Sequence, residues 1–212
     1  MQVTHKTEKK WLYLITDFSF GKEKIAEALA AGVDLIQLRE KEISSAEYLR
    51  RARFLVGMAA CCGTKVIIND RADIALLSGA DGVHLGQEDI PAEDTRMLLG
   101  ADKIIGVTAK TPEQAREAAK AGADYLGSGA WFPTRTKKDA VPITEERYRR
   151  ILEAAPLPNV AVGGITPENC RLPLACGADG LAVSGGIMRA ENIAEAIRRF
   201  RKLLESAEKE RI

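Results

Sequence analysis

Short apolar stretches alternate with helical patterns along almost the whole chain. Polar residues follow most of these stretches and a glycine ends most of the helical patterns, so the repeated unit is strand, loop, helix and glycine. Eight stretches fit buried strands: Leu12 to Thr16, Leu35 to Leu38, Lys65 to Ile68, Val83 to Leu85, Ile104 to Thr108, Tyr125 to Gly127, Val160 to Val162 and Leu181 to Ser184. Eight strands that alternate with helices predict a parallel sheet closed into a compact (β/α)8 barrel.

Recurring motifs mark the ends of the predicted helices. Four similar motifs precede strands: Ala31-Gly-Val-Asp34, Gly79-Ala-Asp-Gly82, Ala121-Gly-Ala-Asp124 and Cys176-Gly-Ala-Asp-Gly180. Helix starts are predicted at Ser44-Ser-Ala-Glu47, Thr111-Pro-Glu113 and Thr166-Pro-Glu168, and a last helix over Glu191 to Leu204. An open doubly wound sheet is the competing fold, but no strand and turn carries a dinucleotide-binding fingerprint.

Composition narrows the class of protein. With 212 residues, 46% of them hydrophobic, the chain fits one globular domain over residues 11–212 after a polar tail at residues 1–10. A net charge of +1 gives no overall attraction to nucleic acid or to a membrane surface. No signal peptide or membrane span is evident, so a cytoplasmic protein is expected, with its oligomeric state left open. The four cysteines fit neither a disulfide framework nor a zinc site.

The segment Gln37-Leu-Arg-Glu-Lys41 places four polar residues at the end of an apolar strand. Alternate side chains of a strand share a face, so Gln37, Arg39 and Lys41 are expected to point one way. Leu38 and Glu40 are expected to point the other way. Because an unpaired buried charge is very costly, the two cations are either paired or form a site for an anion. Ordinary ion pairs of Arg39 and Glu40 with neighbouring helices are the alternative.

In a barrel of this type the active site lies at the C-terminal ends of the strands. Polar residues and glycines are concentrated at these ends: Gln37, Arg39, Lys41, Asn69, Asp70, Gln87, Glu88, Asp89, Thr108, Thr134, Thr136, Lys137, Gly163, Gly164, Ser184, Gly185 and Gly186. The opposite ends of the strands carry mainly helix-ending glycines and aspartates. This asymmetry predicts an enzyme.

Two anion sites are predicted at these strand ends. Glycine pairs follow strands seven and eight, where many barrels hold a phosphate with backbone amides. On the other half of the barrel, Arg39, Lys41 and Lys137 supply positive charge. Asp70 and Asp89 suit Mg²⁺, which leaves some of its positions to substrate phosphates and could join the carboxylates to a diphosphate. Two small phosphorylated substrates are therefore expected, one of which loses diphosphate.

These motifs resemble those of the thiamine phosphate synthase family. The resemblance covers nearly the whole chain and is carried by Gln37-Leu-Arg-Glu-Lys41, Ile68-Asn-Asp70, Asp81-Gly-Val-His-Leu-Gly-Gln-Glu-Asp89, Gly106-Val-Thr108, Phe132-Pro-Thr-Arg-Thr-Lys137, Gly163-Gly-Ile165 and Ala182-Val-Ser184. It implies condensation of a hydroxymethylpyrimidine diphosphate with a hydroxyethylthiazole phosphate, with Mg²⁺, to give thiamine monophosphate and pyrophosphate. Loss of diphosphate leaves a pyrimidine-stabilised cation, so a dissociative alkyl transfer without a protein nucleophile is expected.

The resemblance also implies roles for individual residues. The pyrimidine diphosphate would be bound by Gln37, Leu38, Arg39, Glu40, Lys41, Asn69, Thr108 and Lys137. The thiazole phosphate would be bound by Thr134, Arg135, Thr136, Gly164, Val183 and Ser184. Asp70 and Asp89 would hold the metal. Arg39, Lys41 and Lys137 would be catalytic, because they neutralise charge on the leaving diphosphate.

Three other functions would use part or all of the same site. The related thiazole tautomerase has a similar fold, but it uses a histidine where this chain has Lys110 and it lacks the two aspartates. A phosphosugar isomerase would share the phosphate loops, yet it would not need Asp70 and Asp89 beside three cations. A binding protein for thiazole or thiamine phosphate without catalytic activity could keep the whole site.

Overall fold

The computed structural model describes residues 9–134 and 142–209. Eight parallel strands close into a barrel in sequential order: β1 Trp11–Thr16, β2 Leu35–Leu38, β3 Lys65–Asn69, β4 Gly82–Leu85, β5 Ile104–Thr108, β6 Tyr125–Gly129, β7 Asn159–Val162 and β8 Gly180–Val183. The α-helices are α1 Lys22–Ala30, α2 Ser45–Ala59, α3 Ala72–Ser78, α4 Ala92–Leu99, α5 Pro112–Lys120, α6 Glu145–Ala154, α7 Arg171–Ala175, α8 Gly185–Met188 and α9 Ile193–Lys209, and a 3-10 helix covers Phe18–Phe20. The predicted (β/α)8 barrel is confirmed. In the described ranges no helix is long and apolar enough to cross a membrane.

Two of the predicted helix starts are made by side-chain caps. The hydroxyl of Ser44 accepts a hydrogen bond from the backbone N–H of Glu47 at 3.2 Å, and α2 begins at the next residue. Thr111 accepts from the N–H of Gln114 at 3.3 Å and is followed by proline at the first position of α5. These caps satisfy N–H groups that lack partners in the first turn of a helix.

The helix start predicted at Thr166-Pro-Glu168 is displaced in the structure. Residues 167–170 form a turn, and α7 begins only at Arg171. The side chain of Asn169 accepts the N–H of Thr166 at 2.9 Å, as the third residue of a capping box does, but the bond closes a turn ahead of the helix. The last helix, α9, begins two residues later and ends five residues later than predicted.

Two apolar layers build the core. One fills the barrel interior and contains Tyr13, Leu35, Ile67, Tyr125, Val160 and Ala182. The larger layer lies between the strands and the surrounding helices. Because side chains alternate along a strand, residues two positions after an interior residue also face the interior. Gln37, Asn69 and Ser184 therefore lie above Leu35, Ile67 and Ala182, at the end of the barrel where the strands finish.

The four aspartates of the repeated motifs close the opposite end of the barrel. Each carboxylate precedes an even-numbered strand and accepts an N–H from the preceding strand: Leu12 N to Asp34 at 2.7 Å, Val66 N to Asp81 at 2.8 Å, Ile105 N to Asp124 at 2.8 Å and Asn159 N to Asp179 at 2.9 Å. We call these four contacts the aspartate clamps. They explain why the motif recurs, and they assign Asp81 a structural role.

Replacing Asp34 by asparagine is expected to destabilise the protein at neutral pH by about 1–3 kcal/mol, since hydrogen bonds to charged groups are lost. Burial opposes ionisation of Asp34, but its hydrogen bonds with Arg201, Leu12 and Lys9 hold its pKa below the ordinary value. The stabilisation is therefore complete above the unfolded pKa of about 4 and is lost as the pH falls through the lower native pKa. Urea unfolding of both proteins across this range measures it, and a difference that stays constant under acid conditions would contradict the argument.

Candidate active site

The end of β2 divides its side chains between the barrel interior and the helical layer, as the sequence predicted. Gln37 is 3% exposed and donates a hydrogen bond from Nε2 to the hydroxyl of Tyr13 inside the barrel at 2.8 Å. Leu38 belongs to the outer apolar layer and is fully buried there. The carboxylate of Glu40 also points outwards and accepts from Arg51 of α2 at 2.9 Å. Leu38 can therefore offer a ligand only its backbone.

Two cations, Arg39 and Lys41, stand at the mouth of the barrel. Within residues 9–134 and 142–209, neither Arg39 nor Lys41 forms an ion pair, although Arg39 is half-buried and Lys41 is exposed. Both lie close enough to Asp70 for their charges to favour its ionised form. The side-chain amide of Asn69, buried beside them, makes no hydrogen bond to any described residue. These groups are available to an anionic ligand.

Glu40 forms a bracket behind these cations. Its carboxylate, 5% exposed, pairs with Arg51 and also accepts the backbone N–H of Phe18 at 3.0 Å. The guanidinium of Arg51 lies over the ring of Phe18, 5.8 Å from its centre. The ion pair expected as the alternative for this segment thus exists for Glu40. Because Glu40 lies between Arg39 and Lys41 in the chain, anchoring it fixes the direction of both cations.

Replacing Glu40 by glutamine is expected to raise the KM for a diphosphate substrate about tenfold and to cost about 1–2 kcal/mol of stability. Glutamine keeps an acceptor for Phe18 but loses the charge that holds Arg51. Steady-state kinetics and urea unfolding measure the two effects. Glu113→Gln, which breaks an exposed pair with Arg116 on α5, is the control and should change neither quantity appreciably. An unchanged KM for Glu40→Gln would contradict the role of Glu40 in orienting Arg39 and Lys41.

Two carboxylates face each other beside the cations. Asp70 follows β3 in the left-handed region of backbone conformation, at φ 63°, where asparagine and aspartate are better tolerated than most residues. Asp89 approaches it from the loop after β4, where it accepts the N–H of Gly86 at 2.6 Å. Burial and the neighbouring Asp89 raise the pKa of the Asp70 carboxyl to about 6, and Arg39 and Lys41 offset this only in part. The pair is electrostatically strained without a cation.

A continuous hydrogen-bond chain crosses the barrel interior below the mouth. From Gln37 it runs through the hydroxyls of Tyr13 and Tyr125, which are 2.9 Å apart. Tyr125 contacts Nδ1 of His84 at 3.0 Å, and Nε2 of His84 contacts the hydroxyl of Thr108 at 3.0 Å. Burial lowers the pKa of His84 to about 4, so its ring is neutral at physiological pH. We call these five side chains the interior relay.

The loop after β7 has the glycine geometry predicted for a phosphate site. Gly163 and Gly164 adopt φ values of 100° and 64°, which glycine accepts without strain. The amide of Asn169 donates to the carbonyl of Gly164 at 2.9 Å and accepts from Thr166, so it holds the loop in place. The sequence did not single out Asn169, and its position three residues after Thr166 is the only local signal for it.

The remaining predicted site residues are distributed as follows. Thr134 is half-buried after β6, and Arg135, Thr136 and Lys137 lie outside the described residues. Val183 faces the outer apolar layer, so it can contact a ligand only through its backbone. Ser184 is half-buried at the end of β8. Lys110 is exposed, and its backbone N–H donates to Gln114 at 2.7 Å.

A metal site made entirely of protein ligands is absent from the described part of the chain. There, no group of three or more histidine, cysteine or acidic side chains could hold an ion. Asp70 and Asp89 are only two ligands, but Mg²⁺ commonly binds through one or two carboxylates and completes its shell with water and phosphate oxygens. The raised pKa of Asp70 also favours a cation site, because a divalent cation would relieve the repulsion between the carboxylates of Asp70 and Asp89. These residues fit Mg²⁺ bound together with a phosphorylated substrate.

Comparison with known proteins agrees with this geometry. A family model described as thiamine monophosphate synthase matches residues 12–187. The chain is 43% identical to the thiamine-phosphate synthase of Alkaliphilus oremlandii over 87% of this chain and 91% of that one. It is 45% identical to that of Moorella thermoacetica over 87% and 89%. The structure of thiamine phosphate pyrophosphorylase from Pyrococcus furiosus superposes with a TM-score of 0.86 at 38% identity, covering 95% of this chain and 98% of that one. The chain therefore belongs to the thiamine monophosphate synthase family.

Proposed function

We propose that this protein condenses hydroxymethylpyrimidine diphosphate with hydroxyethylthiazole phosphate, giving thiamine monophosphate and free pyrophosphate. The observation that carries the proposal is the grouping of Arg39, Lys41, Asp70 and Asp89 at one side of the mouth, in a chain of this family. Cations and paired carboxylates together suit a metal-bound diphosphate better than a plain phosphate. The predicted cytoplasmic location goes with this proposal.

The pyrimidine diphosphate would lie across β2, β3 and β5. Arg39 and Lys41, which have no ion pairs within the described residues, would bind the diphosphate oxygens. The amides of Gln37 and Asn69 and the hydroxyl of Thr108 would face the pyrimidine ring, whose nitrogens accept hydrogen bonds. The predicted contacts of Leu38 and Glu40 would come from the backbone, because their side chains are committed elsewhere.

Asp70 and Asp89 would hold Mg²⁺ at the diphosphate. The metal would supply a positive charge that links the carboxylates to the leaving group and stabilises the charge developing there. The left-handed backbone at Asp70 turns its carboxylate towards Asp89, and the N–H of Gly86 fixes the orientation of Asp89. The charges of Arg39 and Lys41 favour the ionised form of Asp70 and so offset in part the effect of burial on its pKa.

The thiazole phosphate would bind on the opposite side of the mouth. Backbone amides of Gly163 and Gly164, held by Asn169, can approach a phosphate closely because no side chain intervenes. Ser184 at the end of β8 would add a hydroxyl donor. Thr134, Arg135 and Thr136 are the further residues that the family resemblance assigns to this substrate. The two substrates would then lie on facing sides of one rigid rim.

The chemical step that we propose needs no protein nucleophile. Arg39, Lys41 and Lys137 would stabilise the departing diphosphate, while a pyrimidine-stabilised cation forms and the thiazole nitrogen attacks it. The contribution of the chain is then to bind, orient and neutralise. The four cysteines stay outside this scheme, since Cys170 and Cys176 are buried and Cys61 and Cys62 are exposed beyond the C-terminal end of α2.

The proposal is tested by incubating the purified protein with both substrates, with Mg²⁺ and with a chelator. Thiamine monophosphate and free pyrophosphate are expected in equal amounts, and only when Mg²⁺ is present. Isomerisation of the thiazole substrate without the pyrimidine substrate would support a tautomerase instead. Tight binding of both substrates without product would support a binding protein, and either result would overturn the proposed activity.

A further inference from the structure

Each hydroxyl in the interior relay can donate only one hydrogen, so the donation by Gln37 at one end bears on the direction of the bonds that follow. Gln37 donates to Tyr13, so the hydrogen of Tyr13 is free to go to Tyr125. With that direction Tyr125 would donate to Nδ1 of His84, and the ring proton of the neutral imidazole would be on Nε2. Nε2 would donate to the oxygen of Thr108, and the hydroxyl hydrogen of Thr108 would point elsewhere.

Resting on the proposed function, we propose that the hydroxyls of Tyr13 and Tyr125 position the pyrimidine-binding groups from below. The hydroxyl of Tyr125 selects the Nε2–H tautomer of His84, and through it turns the hydroxyl of Thr108 into a donor for the substrate, while the hydroxyl of Tyr13 holds the amide of Gln37. Thr108 would then recognise an acceptor atom, either a pyrimidine nitrogen or a diphosphate oxygen. Tyr13, Tyr125 and His84 are positioning residues in this arrangement, since they act through Gln37 and Thr108.

Neighbouring strands leave room for the relay by carrying glycine where it passes. A Cβ atom on Gly106 of β5 would lie 2.1 Å from Cζ of Tyr125. A Cβ atom on Gly127 of β6 would lie 2.9 Å from Cε1 of His84. Both distances are too short for a side chain, so the two rings occupy space that these glycines make available. The five side chains of the relay come from five strands, β1, β2, β4, β5 and β6, and glycines of β5 and β6 leave space for two of its rings.

The tyrosine hydroxyls keep their protons under all working conditions. Burial raises the pKa of Tyr13 and of Tyr125 above the ordinary value for tyrosine. Each side chain is about 1% exposed, so water cannot replace a missing partner. Removing one hydroxyl would therefore interrupt the series of hydrogen bonds at a defined point. The relay residues on the two sides of that point would respond differently.

Nitrogen-15 NMR of histidine side chains tests the direction of the relay. The chain has two histidines, His5 and His84, so His84→Gln assigns the signals. The wild-type protein without ligand is expected to hold the His84 proton on Nε2. Tyr125→Phe should abolish this preference, while Tyr13→Phe should retain it because Tyr125 still donates to Nδ1. A wild-type proton on Nδ1, or an unchanged tautomer in Tyr125→Phe, would overturn the inference.

Calorimetric titration tests whether the relay acts on substrate binding. Tyr125→Phe should raise the Kd for the pyrimidine diphosphate roughly tenfold, the effect of losing one well-oriented hydrogen bond. Its Kd for the thiazole phosphate should stay within about twofold, because that site lies across the mouth. A shifted tautomer with an unchanged Kd for the pyrimidine substrate would also overturn the inference.

Tyr148→Phe is the matched control for losing a buried hydroxyl. Tyr148 of α6 is fully buried and donates to Asn159 at 3.0 Å outside the barrel interior. This variant should lower stability but leave the His84 tautomer and both Kd values unchanged; equal effects from Tyr148→Phe and Tyr125→Phe would refute a positioning role. If wild-type protein forms no thiamine monophosphate, the proposed function fails, and the NMR result still decides the direction of the relay. If the NMR test fails while turnover is normal, the positioning role of the relay is overturned and the proposed function stands.

Discussion

Replacing Asp70 by asparagine is expected to lower turnover by at least roughly 100-fold and yet to stabilise the protein in the absence of metal. Asparagine keeps the shape and tolerates the φ of 63° at this position, but it removes one of two facing carboxylates. Asp70 has a pKa of about 6 in the folded protein, above the unfolded value, so its ionised form opposes folding above that pH. With allowance for its partial exposure, the stability gained at neutral pH is about 1 kcal/mol.

The pH and metal dependence separate these two effects. Between pH 6 and about 4 the wild-type carboxyl becomes protonated, so the stability advantage of Asp70→Asn should disappear. Added Mg²⁺ with diphosphate should stabilise the wild-type protein and not the variant. Urea unfolding in chelator and in Mg²⁺ with diphosphate measures stability without and with the metal, and steady-state kinetics measures turnover. A variant that is less stable at neutral pH, or that keeps wild-type turnover, would contradict the assignment of Asp70.

Replacing Gly164 by alanine is expected to weaken binding of the thiazole phosphate by roughly 100-fold or more, because a displaced backbone no longer fits the phosphate. The added Cβ would lie 2.5 Å from the carbonyl oxygen of Pro133 and 2.8 Å from Cβ of Phe132. The φ of 64° adds strain for any residue with a side chain. Either the glycine loop or the segment leading to Thr134 must move. Calorimetry with each substrate separately should show a loss for the thiazole phosphate and little change for the pyrimidine diphosphate.

Gly57→Ala provides the control for this glycine substitution. Gly57 lies within α2, is exposed, and has no heavy atom within 4 Å of an added Cβ. Alanine there should stabilise the protein by about 0.5–1 kcal/mol and leave both affinities unchanged. Equal losses of affinity for the two substrates in Gly164→Ala would indicate general disruption of the barrel and would contradict a local phosphate site.

The fold was predictable because its signals are local. Glycines after helices, capping residues such as Ser44 and Thr111, and the alternation within Gln37 to Lys41 each act over a few residues. The end of β2 shows this best, since alternation alone separated Gln37 from Leu38 correctly. Membership of the thiamine phosphate synthase family, expected from the motifs, is confirmed by the family match. Predicted roles of individual side chains in binding substrate and metal stay predictions.

Contacts between distant segments could not be predicted. Tyr13 and Tyr125 look like ordinary apolar strand residues in the sequence, and their hydroxyls meet only because β1 and β6 face each other across the closed barrel. Glu40 shares a motif with Arg39, and the family resemblance implied a substrate-binding role for it. Its pairing with Arg51 depends on how α2 packs against β2, which no local pattern specifies.

The aspartate clamps have a consequence for how the barrel assembles. They join residues 22, 15, 19 and 20 positions apart, so each forms within one strand-helix-strand unit at a small cost in chain entropy. Joining β8 to β1 is different, because the N–H of Trp11 must reach the carbonyl of Asp179 from the far end of the chain. Short sequence separation favours rapid folding. The end of the barrel that carries the aspartate clamps can therefore form as four local units. Asp179, which belongs to the last unit, also accepts a hydrogen bond from the first strand when the barrel closes.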